Sequence, residues 1–462
     1  MQSGKAIFLS RKEDDSENNP KNTKKLVKRL SKIKGIIILA IYSFLTYFPT
    51  FIITSCKYLR LVVKYISRKF RLRKNAYGNV SLSTMKRLGI FGGSFEPFHT
   101  EHLNVARQAV KELKLDKLLI MPCSIAPHKN GHKPVSDDVR KEIILRSIQG
   151  EDKTELSSYE LEVGGVSYTY KTVEHFKPFA DELYFIVGAD MLVDFKTWKY
   201  PEKIIENCEI AVFGRTGTAI DTTAEREHFR SRFGKDFITL SYTGKDISAT
   251  KIRVYSALEL DISPFVTKEA KEYIDGKKPF YTEYKKYTDF VLQNEKEKRI
   301  IHTAGVIICA VELARKYKIN EDKAFLTAIL HDCAKYLDKK DFKGYVSPKG
   351  SVEAVEHAFL GAFVAENVLG IKDEEIINAI KYHSTGRRNV SVLEKIILVS
   401  DMTEEGRDYE GVEELREARE RDLDECFAKC ISQKRKHVLE NARESDFCDL
   451  TEECYKQYVL KE

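Results

Sequence analysis

The pattern of apolar and polar positions from residue 85 onwards predicts short buried strands that alternate with helices. Residues 88–91 form a continuous apolar run, and from Leu103 to Leu113 the apolar residues recur at helical spacing. Further apolar runs that indicate strands are residues 117–123, 182–190, 209–215 and 237–242. This alternation predicts a Rossmann-like α/β domain with a doubly wound parallel sheet, whose ligands bind at the carboxyl ends of the strands.

The alternation stops near residue 281, and the chain from about residue 286 is predicted to be helical throughout. Residues 323–337, for example, place Phe325, Ile329, Cys333 and Tyr336 at helical spacing, with Asn320 as a candidate N-cap. A polar, lysine-rich junction separates the two patterns. We therefore expect an α/β domain over residues 85–281 and an all-α domain over residues 286–462.

Residues 1–84 form an extension with a composition of its own. They contain 18 Lys and Arg against 4 Asp and Glu, a net charge of +14. The whole chain of 462 residues carries +7, so residues 85–462 carry −7, which argues against nucleic acid as a partner. Residues 35–56 are uncharged, and such a stretch is long enough to cross a bilayer. Two interpretations stay open: a membrane anchor, or an extension outside the natural protein, which would then start at Met85.

The spacing of the cysteines indicates the redox environment in which the protein is expected to reside. The nine cysteines include no CxxC pair, so neither a disulfide framework nor a thiolate zinc site is indicated. We expect a cytoplasmic protein, because free thiols persist where the medium is reducing. The sequence leaves the oligomeric state open and is compatible with a homo-oligomer.

Candidate phosphate-binding chemistry follows the first predicted strand. The sequence GGSFEPFHTEH, residues 92–102, brings two glycines, a serine and two histidines to the start of a helix. Backbone N–H groups and a helix N-terminus there form a natural anion site. Three other motifs lie at predicted strand ends or at a helix start: PHK at 127–129, GADMLVDFKTW at 188–198 and ISATKIR at 247–253. Each alone is compatible with an ordinary turn, cap or packed side chain, whereas together they indicate a nucleotide site.

The order of these motifs resembles the bacterial nicotinate-nucleotide adenylyltransferases over residues 85–281. The resemblance implies transfer of AMP from ATP to nicotinate mononucleotide, with magnesium, giving deamido-NAD and pyrophosphate. His99 and His102 would be catalytic and would bind the triphosphate. The phosphates would also be held by Gly92, Gly93, Ser94, Ser248, Thr250 and Arg253, and the mononucleotide would be bound by Lys129, Tyr168, Thr169, Asp190 and Trp198.

The first motif departs from this family at two positions. Glu96 stands where an aspartate is usual, and Glu101 stands where a glycine is usual. A carboxylate beside a polyphosphate site would repel ATP. We therefore expect Glu101 to weaken ATP binding unless its side chain turns outward.

The helical domain contains candidate metal ligands. His331 and Asp332 are adjacent within an apolar stretch that we predict to be one helix, where an unpaired buried carboxylate would be costly. Metal ligation would remove that cost. His302, His357, His383 and Asp401 supply further nitrogen and oxygen donors, which favour a hard or borderline metal ion.

These residues and their spacing resemble the HD-domain metal-dependent phosphohydrolases over residues 286–462. The motifs HDCAK, HAFLGA, HSTG and SDMTEEGRDYEGVEELRE narrow the resemblance to the enzymes that split diadenosine tetraphosphate symmetrically into two ADP. The resemblance implies two metal ions, expected to be iron, held by His302, His331, Asp332, His357, His383 and Asp401. Lys335 would neutralise the leaving phosphate beside the catalytic Asp332, and Arg387 and Arg407 are candidates for the outer phosphates. Ser400 and Glu405 depart from the family, which has alanine and proline there.

The interpretation that accounts for most of the sequence is a bifunctional nucleotide enzyme. One alternative is a different nucleotidyltransferase, such as the pantetheine-phosphate type, joined to an HD phosphohydrolase that acts on another nucleotide. A second alternative is a membrane-tethered nucleotide sensor without activity. The complete ligand set and both histidines of the first motif favour an enzyme.

Overall fold

The computed structural model describes residues 85–125, 135–215, 223–245, 247–348, 352–441 and 448–462. Within these ranges no helix combines the length and the apolar composition needed to cross a bilayer. The uncharged segment 35–56 and the PHK motif with Lys129 lie outside the described residues.

Six described strands form one parallel sheet, as the alternating pattern predicts. They are β1 (Met85–Gly93), β2 (Lys117–Pro122), β3 (Thr154–Leu156), β4 (Ala180–Gly188), β5 (Glu209–Arg215) and β6 (Ile238–Gly244). Their spatial order is β3-β2-β1-β4-β5-β6, and every neighbouring pair is parallel. Ile90 at the centre of β1 is in register with Leu119 of β2 and Phe185 of β4. The three-residue strand β3 is not predicted by the sequence pattern, because it is too short to show a period.

Helices cover both faces of the sheet. They are α1 (Thr100–Glu112), α2 (Asp137–Ser147), α3 (Tyr159–Val163), α4 (Thr169–Phe176), α5 (Ala189–Val193), α6 (Pro201–Asn207), α7 (Thr223–Phe233), α8 (Ala249–Ala257) and α9 (Lys268–Lys277). Neighbouring residues of β1 enter two different cores: Leu88 and Ile90 pack into one, and Phe91 packs into the other. This alternation is the period of two that a strand buried on both faces requires. The predicted doubly wound architecture is thereby confirmed.

The chain that follows is helical in its described parts. The helices are α10 (Lys285–Asn294), α11 (Glu297–Lys316), α12 (Glu321–Leu330), α13 (Glu353–Asn367), α14 (Glu374–Tyr382), α15 (Val392–Thr403), α16 (Val412–Arg421), α17 (Leu423–Asn441) and α18 (Asp449–Tyr455), with a last helical turn at Lys456–Leu460. Their apolar faces meet in one core. The prediction of an all-α second domain is confirmed.

One helix ends earlier than its periodicity predicts. Residues 323–337 were expected to be a single helix, whereas α12 ends at Leu330 and turns follow through residue 336. The reason lies at His331, whose Nδ1 is 2.6 Å from the carbonyl oxygen of Ala328. If the helix continued, that carbonyl oxygen would accept the backbone N–H of Asp332. Tyr336 is consequently 45% exposed, not part of the core.

Helix α8 belongs to both cores. Ile252 packs in a core of the α/β domain, whereas Val254 and Leu258 pack in the core of the helical domain. The ring of Tyr281 also stacks on Phe325 of α12, with a distance of 3.8 Å between ring centroids. The two domains therefore share buried surface across the junction.

The packing of β1 can be tested at Gly89. A Cβ at this position would lie 2.5 Å from Leu115 Cδ1 and 2.8 Å from Leu118 Cδ1. Because the core must then shift, Gly89→Ala is expected to lower the free energy of unfolding by about 1–3 kcal/mol. Chemical denaturation monitored by circular dichroism measures this.

The matched control is Gly276→Ala in α9. The structure places no described atom within 4 Å of a Cβ there. Alanine favours a helix over glycine by up to about 1 kcal/mol, so this variant is expected to be neutral or slightly more stable. Equal destabilisation by both changes would contradict the close packing around Gly89.

Candidate functional site

A cavity of about 540 Å³ opens at the carboxyl ends of β1 and β4. The order of the strands reverses between these two neighbours, and such a switch point is where ligands bind in open α/β sheets. The structure brings eight of the residues proposed from the sequence into the lining of this cavity. They are Gly92, Gly93, Ser94, His102, Tyr168, Thr169, Asp190 and Trp198.

His102 is held in one orientation by its surroundings. Its Nδ1 lies 3.3 Å from the backbone nitrogen of His99, which donates to it, and the rings of the two histidines stack at 3.6 Å. Phe91, Phe95 and Phe98 pack around the same ring. Because a neutral imidazole carries one proton, acceptance at Nδ1 places that proton on Nε2. His102 thus enters the cavity wall as a hydrogen-bond donor.

The residues of the ISATKIR motif lie outside the cavity lining. Ser248 precedes α8 as its N-cap, and Thr250 and Arg253 are buried in its first turns. Arg253 donates to the backbone oxygen of Glu96 at 2.7 Å and to Thr250 Oγ1 at 3.2 Å. In this structure Arg253 therefore joins α8 to the loop after β1, and its contact with phosphate stays a prediction. His99 is buried at the start of α1 and is likewise not among the lining residues.

Glu160 is a cavity residue that the sequence reasoning missed. It lines the wall beside Tyr168 and Thr169, and its Oε1 accepts a hydrogen bond of 2.6 Å from Thr172. Burial raises the pKa of this carboxyl group, against hydrogen bonds from Thr172 and Ser167 that lower it. Its position seven residues before the SYT sequence was the available signal. Glu160 fixes the segment that carries Tyr168 and Thr169.

The helical domain brings its six candidate ligands into two adjacent groups. One group is His302, His331 and Asp401, and the other is Asp332, His357 and His383, with the ligand atoms of each group within 4.8 Å of one another. The carboxylate of Asp332 lies near both groups, since its Oδ1 is 3.1 Å from His357 Nε2 and its Oδ2 is 3.7 Å from His331 Nε2.

The hydrogen bonds of the imidazoles suit a metal. His331 Nδ1 lies 2.6 Å from the carbonyl of Ala328, and His383 Nδ1 lies 2.7 Å from that of Ile380. A carbonyl only accepts, so Nδ1 carries the proton in both residues and Nε2 keeps its lone pair. His331 Nε2 is buried and has no hydrogen-bond partner among the described residues. An orphaned buried acceptor of this kind fits a metal ligand.

The charges of these groups also suit a metal. Burial lowers the pKa of His331 to about 3, so this ring is neutral at pH 7. Burial opposes the ionisation of Asp401, but the hydrogen bond from His302 and the charge of Arg407 hold the pKa of this carboxyl group well below its usual range. Neutral imidazole and ionised carboxylate are the forms that bind metal ions.

Further charged residues surround the two groups, and the sequence reasoning identified only some of them. Arg407 pairs with Asp401, and Lys335 Nζ lies 3.2 Å from His357 Nδ1. Two cations were missed: Arg299, which bonds Asp332 at 2.7 Å, and Lys434, whose Nζ is 4.0 Å from Asp401 Oδ2. Both cations are remote in the sequence from the carboxylates that they approach. The one available signal was that Arg299 stands one helical turn before the candidate ligand His302.

Glu404 and Arg387 also have contacts that the sequence did not predict. Glu404 was also missed, although it follows Asp401 by three positions: its Oε1 is 3.0 Å from His302 Nδ1, which orients that ring. Arg387, expected to contact substrate phosphates, instead makes hydrogen bonds of 2.7 and 2.8 Å to the buried Glu394. Its guanidinium is thus committed to a structural partner.

Two family models match the chain. A cytidylyltransferase-like model matches residues 90–254, and an HD-domain model matches residues 299–406, a range that contains all six candidate ligands. The "Probable nicotinate-nucleotide adenylyltransferase" of Clostridium tetani is 40% identical over 172 residues, which are 37% of this chain and 86% of that protein. The protein of the same name from Clostridium novyi is 38% identical over 190 residues, 40% of this chain and 95% of that protein. The chain belongs to the nicotinate-nucleotide adenylyltransferase family.

One similar solved structure is described as a hydrolase. An HD superfamily hydrolase from Clostridium acetobutylicum, described as involved in NAD metabolism, is 33% identical. The match covers 39% of this chain and 98% of that one, with a TM-score of 0.35. The two family models by themselves place a cytidylyltransferase-like domain before an HD domain along the chain.

Glu101 meets the condition under which no repulsion of ATP is expected, since it is not among the residues that line the cavity. The Glu101 carboxylate is buried against β6, where it accepts hydrogen bonds of 2.6 Å from Tyr242 Oη and 2.8 Å from the backbone nitrogen of Lys245. Consecutive side chains on a helix diverge by about 100°, so Glu101 faces away when His102 faces the cavity. Glu101 stabilises the chain that leads into α8.

Glu101→Gln tests this assignment. The amide is a weaker acceptor for the Tyr242 hydroxyl and the Lys245 N–H, so the free energy of unfolding should fall by about 1–2 kcal/mol. The Michaelis constant for ATP should stay within about twofold of the original value, because no charge is removed from the cavity. Glu269→Gln, at an exposed position of α9, is the control and should change neither quantity. A markedly lower Michaelis constant in Glu101→Gln would restore the repulsion hypothesis.

Proposed function

We propose that the chain transfers AMP from ATP to nicotinate mononucleotide in its α/β domain and hydrolyses diadenosine tetraphosphate to two ADP in its HD domain. The observation that supports the first activity is the cavity at the switch point, where His102 from the segment after β1 meets Asp190 and Trp198 from the segment after β4. The observation that supports the second is the pair of ligand groups that share the carboxylate of Asp332.

Adenylyl transfer needs no covalent intermediate with the protein. A phosphate oxygen of the mononucleotide attacks the α-phosphorus of ATP in line, and the bond from that phosphorus to the bridging oxygen breaks, so that pyrophosphate leaves. Negative charge builds on the oxygens of the transferring group. His102 lines the cavity, and its proposed role is to stabilise this charge as a fixed hydrogen-bond donor. Magnesium, when bound with ATP, would neutralise part of the phosphate charge.

The opposite wall is suited to the pyridine nucleotide. Trp198 packs on Phe195 with 5.1 Å between ring centroids, and its Nε1 has no hydrogen-bond partner among the described residues. This indole offers a flat face to the pyridine ring, while its Nε1 is buried. Tyr168 and Thr169, held by Glu160 through Thr172 and Ser167, form the adjoining edge. Asp190 at the end of β4 is placed to contact the ribose.

The HD domain is proposed to hold two ions through its two groups of ligands, and we expect iron. When bound, such ions polarise a phosphate and lower the pKa of water. The protein contributes a cationic surround for a polyphosphate: Arg299, Lys335, Arg407 and Lys434. Water adds to one of the two central phosphorus atoms, and the bond to the oxygen between them breaks, which leaves two ADP. Lys335 is placed to neutralise the departing phosphate.

The transferase assignment can be tested at His102. Loss of one fixed donor to a developing negative charge typically lowers turnover about 100-fold, and His102→Ala should do so in a steady-state assay of deamido-NAD formation. Diadenosine tetraphosphate hydrolysis should be unchanged. His228→Ala, at an exposed position of α7, is the control and should keep both rates. Near-normal transfer by His102→Ala would refute the proposed role.

The metal assignment can be tested by elemental analysis of the purified chain. Asp332→Ala removes a carboxylate that lies near both groups, so metal content should fall from about two ions per chain to near zero. His383→Ala removes a ligand of one group and should cost chiefly one ion, whereas His228→Ala should keep both. Asp332→Ala with a full complement of ions would contradict the shared carboxylate, whatever the hydrolase rate.

A further inference from the structure

Two carboxylates of the HD domain hold the N-terminal turn of α8, which carries the ISATKIR motif. Ser248 Oγ donates to Glu312 Oε1 of α11 at 3.3 Å, and Lys251 Nζ lies 2.8 Å from Glu405 Oε2. The Ser248 hydroxyl thus points to Glu312, and among the described residues it makes no capping bond to the N–H groups of α8. The N-terminal end of α8 is thus bonded to the other domain.

The contact connects directly to a candidate metal ligand. Glu405 follows Glu404, whose buried carboxylate bonds His302 Nδ1 at 3.0 Å and the backbone N–H of Gly406 at 2.5 Å. Gly305 of α11 leaves the space that Glu404 fills, since a Cβ there would collide with its carboxylate. Because this loop is closely packed, a shift of Glu405 is passed to Glu404 and to the ring of His302.

Nucleotide phosphates and the HD carboxylates would compete for the same groups. The family resemblance implies that the ATP phosphates bind at the start of α8, through Ser248, Thr250 and Arg253, and Lys251 adds a cation to the same turn. Glu312 already bonds the Ser248 hydroxyl, and Glu405 already pairs with the Lys251 ammonium group. A polyphosphate repels a neighbouring carboxylate. Phosphate bound at these groups and the carboxylate contacts of Glu312 and Glu405 therefore exclude each other.

We propose that Glu312 and Glu405 form a clamp on α8 that ATP must open, so that ATP binding at the transferase site and an ordered His302 at the hydrolase site oppose each other. This inference rests on the proposed function, which supplies the phosphates. The coupling acts in both directions: ATP loosens the loop that orients His302, and metal at His302 tightens the clamp and weakens ATP binding.

The test is the affinity for α,β-methylene-ATP, which carries the phosphates but is not cleaved between the α and β positions. Its dissociation constant is measured by titration calorimetry in magnesium buffer with the full, metal-loaded chain. The Glu405 side chain is 84% exposed, and exposed ion pairs have small energies, so Glu405→Gln should lower the dissociation constant about two- to fivefold. Glu425→Gln removes the same charge from an exposed pair with Arg421 on the HD domain and should leave the constant unchanged.

The second arm tests the link to the metal site. Removal of the HD-domain metal with a chelator, followed by return to magnesium buffer, should tighten analogue binding about two- to fivefold in the unaltered chain. In Glu405→Gln the stripped and loaded forms should bind equally, since the connection is cut. This arm reads binding, not hydrolysis.

The outcomes separate the inference from the function on which it rests. Equal dissociation constants for the unaltered chain and Glu405→Gln would overturn the clamp and leave the transferase assignment standing. Tighter binding by Glu405→Gln without any effect of metal would overturn the coupling to His302. Failure of both proteins to bind the analogue at millimolar concentration would overturn the proposed function, and the clamp with it.

Discussion

Helix α8 is buried on two sides, and the geometry of both candidate sites depends on this burial. Ile252 packs among the residues of the α/β domain, whereas Val254 and Leu258 pack in the core of the HD domain. Arg253 fastens the same helix to the backbone of Glu96, in the loop between β1 and the two histidines of α1. A helix packed on opposite faces cannot move without opening cavities in both cores, and such cavities are costly. The cavity and the two candidate ligand groups are therefore joined by one shared helix.

The nucleotide cavity follows from the parallel sheet. Parallel strands end at the same edge, so segments that are distant in the chain meet there: residues after β1 supply Ser94 and His102, and residues after β4 supply Asp190 and Trp198. The aromatic rings around His102 pack against the imidazole and help to hold it in place. Pre-organisation of this kind is what transfer of a charged group requires of a protein.

The metal site depends on a different constraint, the cost of burying ionisable groups. His331 and His383 each stand directly after the last residue of a helix, α12 and α14, and each bonds a carbonyl three residues earlier. The helix end thus supplies an acceptor that fixes the tautomer and turns Nε2 towards the centre. Arg299, Arg407 and Lys434 balance the charges of Asp332 and Asp401, which would be too costly to bury alone.

The sequence by itself determined the element types, the division into an α/β and a helical domain, and the residues of both motif sets, because apolar period and motif spacing are local properties. It did not determine where Glu101 and Arg387 point, that Arg253 bonds Glu96, or that Glu404, Arg299 and Lys434 surround the ligands. Those facts depend on partners up to 157 positions away along the chain. It also missed the early end of α12, where a side chain takes the carbonyl that the helix would use. Local patterns report which face of an element is buried, but only the packed tertiary structure decides which distant group fills the space beside it.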